Sequence, residues 1–217
     1  MIADRIRALL SELPAGVELV AAAKGRPVAE VTQAIEAGVK TIGENYLQEA
    51  AAHRAAIGSD CAKWHFIGTL QQNKVKLAVS ICDMIETVDS LALAQSIDHH
   101  AARQGKIMPV LIEINSGREA QKAGVDPEQA EELLNRIAGL EHICIKGLMT
   151  MGPRTGEPEA SRPYFAATRH LFERLKQADI PRVTMELLSM GMTNSYRVAL
   201  QEGANIVRLG SKIFDAA

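Results

Sequence analysis

The chain has 217 residues, 47% of them hydrophobic, enough to bury one substantial core within a single α/β domain. Its 24 basic and 26 acidic residues are interspersed and leave a net charge of −2, so no cationic patch marks a nucleic-acid or anionic-membrane surface. Cys61, Cys82 and Cys144 are odd in number and widely spaced, which argues against a disulfide framework or a zinc site; no run nears the roughly 18 apolar residues of a membrane span. A cytoplasmic protein that handles small molecules is expected, without nucleic-acid or membrane partners.

Short apolar runs alternate with amphipathic or Ala-rich stretches along the whole chain, the pattern of a parallel sheet with crossover helices. A helix over Ala3–Leu13 precedes the first strand, Leu19–Lys24. Pro27 opens a helix over Val28–Ala37, which Gly38 stops ahead of strands at Thr41–Glu44, His65–Gly68 and Met84–Val88. Asp89 or Ser90 caps Leu91–Arg103, Gly105 ends it, and a strand follows at Pro109–Asn115. Asp126 and Pro127 open Glu128–Ile137, which Gly139 stops, and the sixth strand is Ile145–Thr150. The longest linker, Gly152 to Arg162, carries Gly, Pro and charge and reads as a surface loop. Strands at Thr184–Met190 and Ile206–Leu209, with Gly203 between them, complete eight units.

Eight βα units predict a single-domain (β/α)₈ TIM barrel over residues 1–217 with a short N-terminal helix, although a doubly wound open sheet gives the same string. In a barrel, strand 1 closes against strand 8, and active groups sit where strands end. That places Lys24, from the segment LVAAAKGRP, beside Arg208, Gly210 and Ser211 of VRLGSKIF. The preceding strand runs into LLSMGMTNSY, a second small-residue turn with hydroxyls at Ser189, Thr193 and Ser195. Two such turns side by side form a phosphate cup. A lysine facing that cup, with an arginine between, outlines a pyridoxal 5′-phosphate site: Lys24 for the Schiff base, the cup for the phosphate, Arg208 for the pyridine nitrogen.

On these segments, together with TIGENYLQEA, WHFIGTLQQNK, ETVDSLALA and KGLMTM in the same order, the sequence resembles the YggS/PROSC family of pyridoxal phosphate homeostasis proteins, whose fold is the alanine racemase N-terminal barrel. The resemblance implies that Lys24 holds the cofactor as an aldimine, that Arg208 lies at the pyridine nitrogen, and that Thr193, Gly210 and Ser211 hold the phosphate. It adds Asn45 and His65 near the ring or the mouth; Met190 joins the cofactor-binding residues as a rim methionine with a packing role. Ala23 and Gly25 stand where the family usually has Ser and Thr, and Thr193 where Ser is common.

The related racemases use a second domain that supplies an opposing tyrosine. None of Tyr46, Tyr164 and Tyr196 is assignable to that role from sequence, and Tyr46 and Tyr196 read as packing residues. The resemblance therefore implies a monomeric binding protein without established catalysis. It would act in cofactor homeostasis and amino-acid and keto-acid balance, with apoenzymes as recipients. A weak amino-acid racemase or another small pyridoxal phosphate enzyme is the alternative, and a barrel aldolase that attacks its substrate through Lys24 is a third reading. Lys74, Lys76 and Lys122 are candidates for a second cofactor site.

Overall fold

Strands that are apolar on both faces need covering on both, and a closed parallel barrel ringed by helices does this. The computed structural model, which describes residues 1–119, 123–153 and 157–215, shows that arrangement. Strands β1 (Glu18–Ala22), β2 (Thr41–Glu44), β3 (Lys63–Phe66), β4 (Met84–Val88), β5 (Met108–Glu113), β6 (Ile143–Met149), β7 (Val183–Ser189) and β8 (Ile206–Leu209) close in sequence order into one barrel. It is a single-domain TIM barrel. Lys122 lies outside the described residues, as do residues 154–156 of the long linker.

The helices are α1 (Ile2–Glu12), α2 (Val28–Glu36), α3 (Leu47–Ile57), α4 (Val75–Ile81), α5 (Leu91–Ala102), α6 (Ala130–Ile137), α7 (Arg162–Gln177), α8 (Tyr196–Gln201) and the short α9 (Ser211–Phe214). Their apolar stripes face the barrel: α6 buries Ala130, Leu133, Leu134 and Ile137 at helical spacing. Ser90 caps α5 by accepting the Leu93 amide at 3.3 Å, as its position in the sequence requires. One apolar cluster lies under α4 to α7, and a second joins α1, α2 and α9 to β1 and β8.

Closure sets the site. Parallel pairing aligns Val20 with Arg208 and Ala21 with Leu209, so the chain leaves β1 and β8 side by side. Alternation then sorts side chains by face. On β8, Val207 and Leu209 join the outer cluster, while Arg208 points inward. On β2, Gly43 faces inward against Val20, and Glu44 faces outward to meet His53 of α3.

Strand β6 carries an irregularity: its register with β7 shifts between Ile145 and Gly147. Gly147 has φ 152°, and a Cβ there would collide with the Leu187 carbonyl. Only glycine tolerates that approach, since the obstacle is backbone. Replacing Gly147 by Ala should destabilise the protein by roughly 2 kcal/mol or more, measured by urea unfolding. Unchanged stability would mean that the β6–β7 pairing relaxes without cost.

Candidate functional site

Lys24 lies two residues beyond the end of β1, in a tight turn, and is exposed to solvent. The turn is closed by the Arg26 amide donating to the Ala23 carbonyl at 2.9 Å. It uses Gly25 at φ 69°, a left-handed conformation that favours glycine. The Gly25 amide donates to Glu49 Oε2 at 2.9 Å, and the Arg26 side chain pairs with Asp215 and lies over the Phe214 ring. Lys24 Nζ stands 5.6 Å from the centre of the Tyr46 ring.

A cavity of about 390 Å³ opens beside this lysine, lined on the far side by Thr193, Gly210 and Ser211 and including Arg208 and Asn45. Ser211 Oγ donates to Thr193 Oγ1 at 3.0 Å, and the Lys212 amide donates to the same oxygen at 3.3 Å, which locks the two turns together. Among the described residues, the amides of Thr193, Asn194, Gly210 and Ser211 meet no protein acceptor. The wall facing Lys24 is thus rich in donors.

Arg208 is 3% exposed and held by atoms from several strands. Its NH1 donates to Ser189 Oγ at 2.6 Å, and its NH2 donates to the Thr150 carbonyl at 2.9 Å. Ser189 Oγ donates onward to Glu86 Oε2 at 2.6 Å, and His65 Nδ1 lies 2.8 Å from Glu86 Oε1. Burial opposes ionisation of Glu86, but the hydrogen bond and charge of His65, then Arg208 and Ser189, hold its carboxyl below the usual range. Glu86 is therefore a carboxylate, and His65 Nδ1 carries the hydrogen between them. Burial pulls the Arg208 guanidinium down, with Glu86 and Glu113 pulling back; an arginine stays charged under these conditions. Its Nε is left without a protein acceptor among the described residues.

A second cavity, of about 470 Å³, lies across the barrel mouth and shares Asn45 and Met192 with the first. Glu113, at the end of β5, lines it while only 7% exposed. Burial, then the charge of Asp89, pushes its carboxyl up to about 7, with Arg208 opposing.

Six of the eight residues singled out in the sequence, Lys24, Asn45, Thr193, Arg208, Gly210 and Ser211, line the first cavity. The other two stand apart from it. His65 is buried in the Glu86 network, and Met190 is wholly buried in the core, whereas Met192, two residues on, lines both cavities. Tyr196 is pinned by its hydroxyl to Glu12 at 2.8 Å and packs as expected. Tyr46 does not pack: it is 49% exposed beside Lys24. Glu44, Glu49, Glu86 and Glu113 carried no sequence signal beyond an acid in or near an apolar run.

Over residues 2–216 the chain matches the family model described as the N-terminal domain of alanine racemase. It is 37% identical over 202 residues to the pyridoxal phosphate homeostasis protein of Pasteurella multocida, covering 92% of this chain and 86% of that protein. Two solved structures of PipY from Synechococcus elongatus PCC7942 superpose on it. The one without pyridoxal phosphate gives a TM-score of 0.93 at 35% identity, and the one with it bound gives 0.90 at 34%. Each comparison covers 99% of this chain and 100% of PipY.

Glu113 supplies a test of the site's electrostatics. A carboxyl raised from 4.5 to about 7 costs stability once ionised, so its burden is absent at low pH and grows as pH rises through that interval. Replacing Glu113 by Gln should therefore raise stability at pH 8 relative to pH 4.5, by roughly 3 kcal/mol in the parent-to-variant difference. Equal differences at both values would show that Glu113 is not held in a desolvated position.

Proposed function

The chain belongs to the alanine racemase N-terminal domain family and, within it, to the pyridoxal phosphate homeostasis proteins, and on that premise we propose that it holds pyridoxal 5′-phosphate in the cavity beside Lys24. The observation that carries this reading is the pairing of an exposed primary amine with a donor-rich wall across one cavity, and a charged guanidinium between them. The residues fit the group. Thr193 and Ser211 offer hydroxyls, and the four amides without protein acceptors suit a phosphate dianion. Arg208 has Nε left for the pyridine nitrogen, and Lys24 is the amine for the aldehyde. When bound, the cofactor supplies an aldehyde that condenses reversibly with primary amines.

The remaining chemistry belongs to the chain. The hydroxyls and amides bind the phosphate, and Arg208, fixed by Ser189 and Thr150, would orient the ring by donating its Nε hydrogen to a pyridine nitrogen that carries no proton. The lysine turn lies at the open mouth, where an incoming amine reaches it. Such a site loads and unloads its cofactor. The protein is a single-domain, monomeric carrier that buffers pyridoxal phosphate and passes it to apoenzymes, with amino-acid and keto-acid balance depending on that supply. The cytoplasm is its place of action: Cys61, Cys82 and Cys144 are free thiols, which suits a reducing compartment, and among the described residues no helix is long and apolar enough to cross a membrane.

Borohydride treatment of the protein mixed with pyridoxal phosphate should fix one cofactor per chain, with peptide mapping placing it on Lys24. Label on another lysine, or an unchanged spectrum after Lys24→Ala, would overturn the assignment. The joint replacement of Thr193 and Ser211 by Ala should weaken cofactor binding by roughly 1 to 3 kcal/mol and should narrow the advantage of pyridoxal phosphate over pyridoxal. Unchanged affinity for both ligands would mean that the phosphate lies elsewhere.

A further inference from the structure

The lysine turn is gripped from outside the barrel by one face of α3. Glu49 and His53 are four residues apart and so share that face. Glu49 Oε2 accepts the Gly25 amide, and His53 Nε2 lies 2.9 Å from the Arg26 carbonyl oxygen. The peptide group that leaves Lys24 and the carbonyl two residues on are thereby fixed. Lys24 itself makes no hydrogen bond among the described residues, so its backbone decides where its amine can reach. His53 is in turn set by Glu44 at the end of β2, Nδ1 to Oε1 at 2.6 Å. His53 is 3% exposed and Glu44 wholly buried, and the other Glu44 oxygen, Oε2, is buried with no partner among the described residues.

These two contacts require a count of hydrogens. A carbonyl oxygen only accepts, so Nε2 must carry a hydrogen. A second hydrogen must lie between Nδ1 and Glu44. A neutral imidazole with a carboxylate has only one between them, so the pair holds one proton more, as imidazolium with carboxylate or as neutral ring with carboxylic acid. Once that proton leaves, a bare nitrogen faces either the Arg26 carbonyl or the Glu44 carboxylate. Burial pushes the Glu44 carboxyl up, with the hydrogen bond and charge of His53 pulling it back and Glu49 adding to the upward push. Around the pair stand Glu49 on α3, the Cys82 thiol ahead of β4, and Arg26, whose guanidinium is engaged by Asp215 and Glu30.

We propose that Glu49 and His53 are positioning residues for Lys24, and that Glu44 keeps His53 donating to the lysine turn by sharing one proton with it. This rests on the reading of Lys24 as the cofactor's anchor. The two claims separate in practice, because failure of that reading leaves Lys24 of the parent protein unlabelled.

Cofactor-free protein is mixed with pyridoxal phosphate across a range of pH, and capture by lysine is followed by absorbance. His53→Ala should slow capture at least fivefold. His53→Gln, whose amide N–H can replace Nε2–H, should bring the rate back to within twofold of the parent. Glu44→Gln donates to Nδ1 with no titrating proton, so the parent-to-variant rate ratio, in which the titration of Lys24 cancels, should be near one at neutral pH and fall as pH rises. Hydrogen exchange at Gly25 and Arg26 should quicken in His53→Ala. Capture by His53→Ala at the parent rate, no rescue by His53→Gln, or the same pH profile in the parent and Glu44→Gln would overturn the proposal. Where His53→Ala does not fold, ring-nitrogen NMR of the parent decides: Nε2 should carry a hydrogen at neutral pH, and an unprotonated Nε2 would overturn it.

Discussion

A guanidinium shut away from water has to be surrounded by acceptors and balanced by charge, and Arg208 imposes that demand on the centre of this barrel. Ser189 from β7 and the Thr150 carbonyl just past β6 accept its hydrogens, Glu86 from β4 supplies the charge 4.0 Å away, and His65 from β3 supports Glu86. Removing Glu86 or Ser189 would leave the others buried and incompletely paired, a larger loss than one contact suggests. The network spans much of the inner wall and presents one guanidinium edge to the cavity. The fixed arginine therefore gives the cavity its floor.

The surroundings of that floor follow from closure. Because β1 pairs with β8, the lysine turn and the Gly210–Ser211 turn emerge side by side. The segment after β7 is drawn in as well, since the Arg208 amide donates to the Gly191 carbonyl at 3.0 Å just before Thr193. A permanent cation inside and donor-rich turns above favour an anionic ligand. The exposed lysine lies on the opposite side of the same cavity. On the outside of the same strands, Glu44 and His53 meet under α3 and steady the lysine turn from behind. The two faces of the sheet thus carry separate networks: Arg208, Ser189 and Glu86 inside, Glu44 and His53 outside.

Much of this was legible in the sequence. All eight strands were visible as apolar runs, and β2, β4 and β8 agree to the residue. Elsewhere the apolar runs sit one or two residues later than the strands, most plainly at β1 and β3. Rim residues such as Ala23 and Ile67 are as buried as the paired ones, so the apolar run outlasts the hydrogen-bonded ladder. Lys24, Thr193, Arg208, Gly210 and Ser211 were legible because strand ends in a closed barrel converge. The acids were not. An acid in an apolar run does not announce its partner: Glu44 faces outward to His53, whereas Glu86 and Glu113 face inward, one onto Ser189 and the other into the mouth cavity. His65 reads in sequence as a residue near the ring or the mouth, and its strand turns it inward onto Glu86; Met190 is buried just past β7, while Met192, beyond Gly191 at φ 91°, lines both cavities.

On the reading proposed above, closure of β1 on β8 builds one cofactor cavity with Arg208 as its floor. A crystal structure of the protein grown with pyridoxal 5′-phosphate tests it most directly. Density should run continuous with Lys24, with a phosphate between the Thr193 and Ser211 turns, the pyridine nitrogen against Arg208, and Ser189 and Glu86 in place. Cofactor density joined to another lysine, or a phosphate outside those two turns, would contradict it.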